Sequence, residues 1–185
     1  MKIPPTRAGR AVMLMLLLSI GFAGCKSAAR TANPAALMRE ANTLLQEGNK
    51  TTDQWIKEYG QAFNPQSRAQ FPGNRDSLRA HADSITKLLD ENTRQWNKAV
   101  EKYEEAIPLI KDEKQQRGAT LILSALRKSR DFNDAIRSQM QLVSDERIVE
   151  AKAFDEKFLE LLKPVRQMDG QWQAEFDEGR RLLGM

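Results

Sequence analysis

Few residues in this chain have the chemistry to make or break a bond. Cys25 is the only cysteine and His81 the only histidine. A lone thiol has no intramolecular disulfide partner, and a lone imidazole cannot build the paired histidines of a zinc site. Carboxylates occur in pairs, Asp90-Glu91 and Glu104-Glu105, but Lys and Arg lie close by, as on a solvated helix face. Gly118 and Gly170 stand alone, so no Gly-rich loop cradles a phosphate, and no serine sits in a nucleophile elbow. The Glu-x-x-His pairs of di-metal helical proteins are missing. This inventory argues against an enzyme, and no metal or cofactor is expected. His81, beside the apolar position Ala82, reads as a surface or boundary residue.

Four side chains have binding potential instead. Trp55, Trp96 and Trp172 fall on or near apolar helix faces. Core packing is the plain account of them. An aromatic-lined groove between helices is the sharper one, because indole joins a large apolar face to one polar donor. Asn92 lies between Leu89 and Trp96 in an apolar series. A buried Asn there can fix register or oligomer state, and partial exposure or ligand contact are the alternatives.

Cys25 has a distinctive setting. Lys2, Arg7 and Arg10 give a positive start with no acid, and residues 11–23 are uncharged and mostly apolar. As a helix that stretch reaches roughly 20 Å, short of the roughly 30 Å hydrocarbon core. This is the layout of an export signal, not of a membrane span. The run Phe22-Ala23-Gly24-Cys25 resembles the lipobox that ends bacterial lipoprotein signals, with Phe22 standing where Leu is usual. The resemblance covers about the first 26 residues. It implies a diacylglyceryl thioether on Cys25, removal of residues 1–24 and, often, acylation of the new amino group. Each buried methylene contributes about 0.8 kcal/mol, so two or three chains would hold the protein firmly at a membrane. By the same resemblance Lys26, where Asp would favour inner-membrane retention, implies an outer-membrane location facing the periplasm. In a one-membrane cell the implied location is the outer face of the plasma membrane.

The formal charge of +4 is dominated by that signal, which holds three of the 29 basic residues and none of the 25 acids. The remainder is close to neutral, with acids and bases interspersed as in Lys111-Asp112-Glu113-Lys114. No basic stripe tracks phosphates, which disfavours nucleic acid as a partner.

The elements that must position the tryptophans are helices. Gly and Pro are sparse after residue 33, and no alternating run suits a strand, so one all-α domain is expected over 34–185, after a small polar tether over 25–33. Asn33-Pro34 reads as a cap and first turn, opening a helix to about residue 62, weakened around Gly48 to Thr52. Residues 64–74, with Pro65, Pro72 and Gly73, read as an irregular break. A second helix is marked by Leu78, Ala82, Ile85, Leu89, Asn92, Trp96, Ala99, Tyr103, Ala106 and Ile110. Their alternating steps of four and three make a heptad seam, with Pro108 kinking the helix or ending it near Ala106. A third helix should run from about Lys114 to Val143. A fourth should start at Ser144 or Asp145, where Ser144-Asp145-Glu146-Arg147 offers capping chemistry. Its seam passes through Phe154, Phe158, Val165, Met168 and Trp172, with Pro164 and Gly170 as points of bending. The expected architecture is an antiparallel up-down bundle of about four long helices, about 45 Å long, with coiled-coil-like seams.

Tyr103-Glu104-Glu105-Ala106-Ile107 and Phe132-Asn133-Asp134-Ala135-Ile136 share one pattern, which looks like the second helix of tetratricopeptide repeats. Their spacing falls short of that family's roughly 34-residue period, and no third copy follows. The leading expectation is a non-catalytic, lipid-anchored helical protein of the bacterial envelope with a structural or protein-interaction role. Its expected partners are the membrane, through lipid on Cys25, an envelope protein, and a second copy paired through the second helix's seam. The alternatives are binding of peptidoglycan, lipid or a small molecule in an interhelical groove, which requires an apolar cavity near the tryptophans, and a degenerate repeat adaptor.

Overall fold

The structure, a computed structural model, describes residues 33–185. The expected export signal, Cys25 and the expected tether before residue 33 lie outside the described residues, as do the side chains of Val165, Met168 and Asp169. The described chain is helical, with no strand among its residues. Its elements are α1 (Pro34–Ala62), α2 (Pro65–Ala69), α3 (Arg75–Ala106), α4 (Glu113–Gln141) and α5 (Ala151–Leu183), with 3-10 turns at Ile107–Leu109 and Leu142–Ser144.

The two Asn-Pro steps act alike. Asn33 accepts from the Ala35 amide and starts α1, and Asn64 accepts from the Ser67 amide and starts α2. In each, Pro supplies a first-turn residue whose missing N–H costs nothing. The break at 64–74 is therefore not wholly irregular: it contains α2, which the opening Asn-Pro signalled. Nor is α1 interrupted at Gly48: it runs unbroken through this stretch, with the Thr51 and Thr52 hydroxyls bonded to the carbonyls of Glu47 and Gly48.

All ten expected seam positions of α3, Leu78 through Ile110, are buried. They are consumed within one chain, so pairing two copies through this seam would require unpacking it. Helix α3 ends at Ala106, one residue before the 3-10 turn that holds Pro108. Pro164, by contrast, lies inside α5 without ending it.

The start of α5 corrects the expectation. The helix begins at Ala151, not at Ser144 or Asp145. The Asp145 carboxylate accepts from the Arg147 amide at 3.1 Å and from its guanidinium at 2.8 and 2.9 Å. Those bonds hold the Asp145 carboxyl down to about 2. Its capping chemistry is thus used on a corner, which Ile148 pins by burying its side chain and accepting from Arg75.

Helix partners follow in opposed order. Between α1 and α3, Asn42 meets Tyr103, Gly48 meets Asn92, and Glu58 meets His81 and Ser84. Between α4 and α5, Gly118 meets Gly179, Ser124 meets Glu175, and Gln139 meets Phe158. Helix α3 joins the pairs through Asn92 to Asn133 and Glu104 to Arg127. The core divides into two apolar clusters. One holds Trp55, Phe63, Leu78, Ile85, Phe154 and Phe158; the other holds Ala41, Leu45, Trp96, Tyr103, Ile122 and Leu126. Each fully buried Leu, Ile or Phe contributes about 1.5–3 kcal/mol.

A cleft lined by the three tryptophans

Between the two clusters lies a polar waist. Asn92 is fully buried; its Nδ2 donates to the Gly48 carbonyl and to Thr52 Oγ1, both at 2.8 Å, and its Oδ1 accepts from Asn133 Nδ2 at 2.8 Å. One side chain so ties α1, α3 and α4 at a fixed register, the use expected of a buried Asn. Gly48 permits the close approach: a Cβ there would lie 2.5 Å from Trp96 Nε1.

At this waist the helices part to leave a cavity of about 350 Å³. Helix α1 lines it with Thr52, Trp55, Ile56 and Tyr59, a set at helical spacing. Trp96 comes from α3, and Phe132, Asn133 and Ile136 come from α4. Leu162, Trp172 and Gln173 of α5 complete the wall. The cavity collects all three tryptophans of the chain from three different helices. Its volume lies near the lower end of the roughly 300–1,000 Å³ of small-molecule sites, and such sites share its apolar, aromatic lining.

The rings touch one another. Trp55 lies 6.0 Å from Phe132, Phe132 6.4 Å from Trp172, and Trp172 6.3 Å from Trp96, all tilted. The run continues through Tyr59, 6.3 Å from Trp55, to Phe63 and Phe158. Such ring pairs contribute about 0.5–1.5 kcal/mol beyond area burial.

Polar atoms at the cleft are unevenly satisfied. Tyr59 donates to Gln139 Oε1 at 2.9 Å, and Gln139 donates to the Phe158 carbonyl, joining α1, α4 and α5. Burial raises the Tyr59 hydroxyl to about 12, against the opposing pull of Arg68, Gln139 and Arg166. The Nε1 atoms of Trp55, Trp96 and Trp172 are sealed from solvent with no acceptor among the described residues, and Asn133 Oδ1 is sealed with no donor. Buried polar groups are nearly always paired, and each left unpaired costs about 1–3 kcal/mol. Beyond the cleft, hydrogen bonds from Lys128 and Ser124 hold the Glu175 carboxyl below the usual range.

The structure brings Trp55, Trp96 and Trp172 together as a groove requires. Asn92 stands behind them, its amide fully engaged with protein partners. Thr52, Ile56, Asn133, Leu162 and Gln173 were not singled out in the sequence. Asn133 had a signal, since it lies one position after Phe132 and three before Ile136 on the buried side of α4. His81 is half-buried and meets Glu58 Oε1 at 3.0 Å. Neither half of the tetratricopeptide-like echo begins a helix: Tyr103 falls in the last turn of α3 and Phe132 in the interior of α4. Among the described residues no group of three His, Cys, Asp or Glu side chains converges on a metal position, and no helix is long and apolar enough to cross a membrane. Comparison with known protein families, characterised proteins and solved structures gave no match.

Proposed function

We propose that this chain is a non-catalytic, lipid-anchored binding protein of the bacterial cell envelope, whose helical domain holds an apolar or amphipathic ligand in the tryptophan cleft. The single observation behind the binding role is that cleft. Trp55 and Trp96, each buried in one of the two core clusters, and the half-buried Trp172 border a cavity of about 350 Å³. The anchor rests on the lipobox-like run ending at Cys25. The opposed order of helix partners supports reading the domain as an antiparallel up-down bundle, with the cleft opened between its first and last long helices.

The anchored protein, isolated gently from cells and examined by mass spectrometry, should carry a small molecule. Trp172→Ala should lose it while keeping the helical circular dichroism, because the Trp172 ring is only half-buried. Cys25→Ser should move the protein out of the membrane fraction. Isolation of an empty protein crosslinked to one envelope protein would replace this reading with that of an anchored adaptor.

A further inference from the structure

We infer that the occupant of the cleft is a single-chain amphiphile with an anionic head, its hydrocarbon lying among the tryptophans and its carboxylate or phosphate beside Arg166. The inference rests on the binding role proposed above and adds the ligand's chemistry. Leu162 and Gln173 both line the cavity. Arg166 lies four residues after the first and seven before the second, so at 3.6 residues per turn it faces the same side of α5. Independently, its charge acts on the Tyr59 hydroxyl, which lines the opposite wall.

Arg166 is also chemically available. It is exposed and has no ion-pair partner among the described residues. Arg68, the other guanidinium acting on Tyr59, is already held by Asp155 at 2.6 Å. A guanidinium presents a planar fork of donors that fits a carboxylate or phosphate in two-point fashion. Trp55, Trp96, Phe132 and Leu162 offer hydrocarbon faces in the cleft, and the modest cavity suits one chain better than two. An uncharged hydrocarbon would use the rings and leave Arg166 idle, whereas a polar anion would waste the rings.

The test uses the full chain with Cys25→Ser, which has no thiol for lipid, and three terminally brominated probes below their micellar concentrations. The probes are bromododecanoate, bromododecyl phosphate and neutral bromododecanol, and bromine quenches indole fluorescence on contact. Saturable quenching by at least one anionic probe is expected, at a concentration about tenfold lower than for the alcohol. Which anion is favoured separates a carboxylate head from a phosphate head. Arg166→Gln should bring the anions to the level of the alcohol and leave the alcohol unchanged. Equal binding of all three probes, or an advantage that survives Arg166→Gln, overturns the anionic assignment while the cleft stands. Absence of saturable quenching by any probe overturns both.

Discussion

Asn92 and Tyr59 each hold three helices with one side chain, by different physics. The Asn92 amide joins Gly48, Thr52 and Asn133 where no water reaches. In Asn92→Ala the Asn133 amide keeps only its 3.2 Å bond to Thr93, and a void opens beside Trp96. A loss of about 2–3 kcal/mol in urea unfolding is expected; a change under about 0.5 kcal/mol, the size of an ordinary surface substitution, would show the network to be dispensable. Tyr59 contributes to the alkaline limit. Its hydroxyl titrates near 12 in the folded protein and near 10 when unfolded. The folded state therefore prefers the neutral phenol, and this stabilisation is complete below about pH 10 and lost as pH rises from there toward 12. Burial also raises the Tyr103 hydroxyl, in the same direction. Melting temperatures should fall steeply above pH 10, and Tyr59→Phe should flatten that fall. An unchanged slope would place the alkaline sensitivity elsewhere.

Among the helices, α5 was the least legible in the sequence, and it supplies Leu162, Trp172 and Gln173 to the cleft. The α3 seam could be read position by position because one face of a long straight helix is buried along its whole length. In α5 burial is uneven: Phe154 and Phe158 are fully buried, while Trp172 and Phe176 are half-buried. A periodic pattern reports that a face is apolar, not whether a neighbour or a cavity lies against it. The three tryptophans were visible as candidates for that reason, and their convergence was not. The polar members of the lining, Thr52, Asn133 and Gln173, share the helical spacing of their neighbours but are not apolar, so a hydrophobic pattern passes over them. The corner before α5 was misplaced because capping residues satisfy turns as readily as helix starts. Two glycines of α5 now separate by environment. A Cβ on Gly170 meets nothing within 4 Å, whereas one on Gly179 would lie 2.7 Å from Ile122 Cγ1 and 2.9 Å from the Gly118 carbonyl. Gly170→Ala should stabilise the domain by up to about 1 kcal/mol. Gly179→Ala should destabilise it by about 1–3 kcal/mol by prying α4 from α5. Thermal unfolding of both variants decides this, and the same sign for both would contradict the packing described.

Across the described domain, a near-neutral charged surface, a core split at a polar waist and a cleft at that waist belong together. A chain that only had to be a rod could have closed its waist with Leu or Ile. Three indoles set around a space line it with aromatic surface, and that arrangement has a use when a guest occupies the space. The direct measurement is a nitrogen-15 NMR titration of the indole N–H signals in the full Cys25→Ser chain with dodecanol, a neutral guest whose binding does not depend on Arg166. The account predicts that the Trp55, Trp96 and Trp172 signals shift together and saturate, while backbone amides around Ala41 and Leu45 in the far cluster stay in place. Indole signals that remain fixed at every concentration, or shifts spread evenly over the chain, would contradict it.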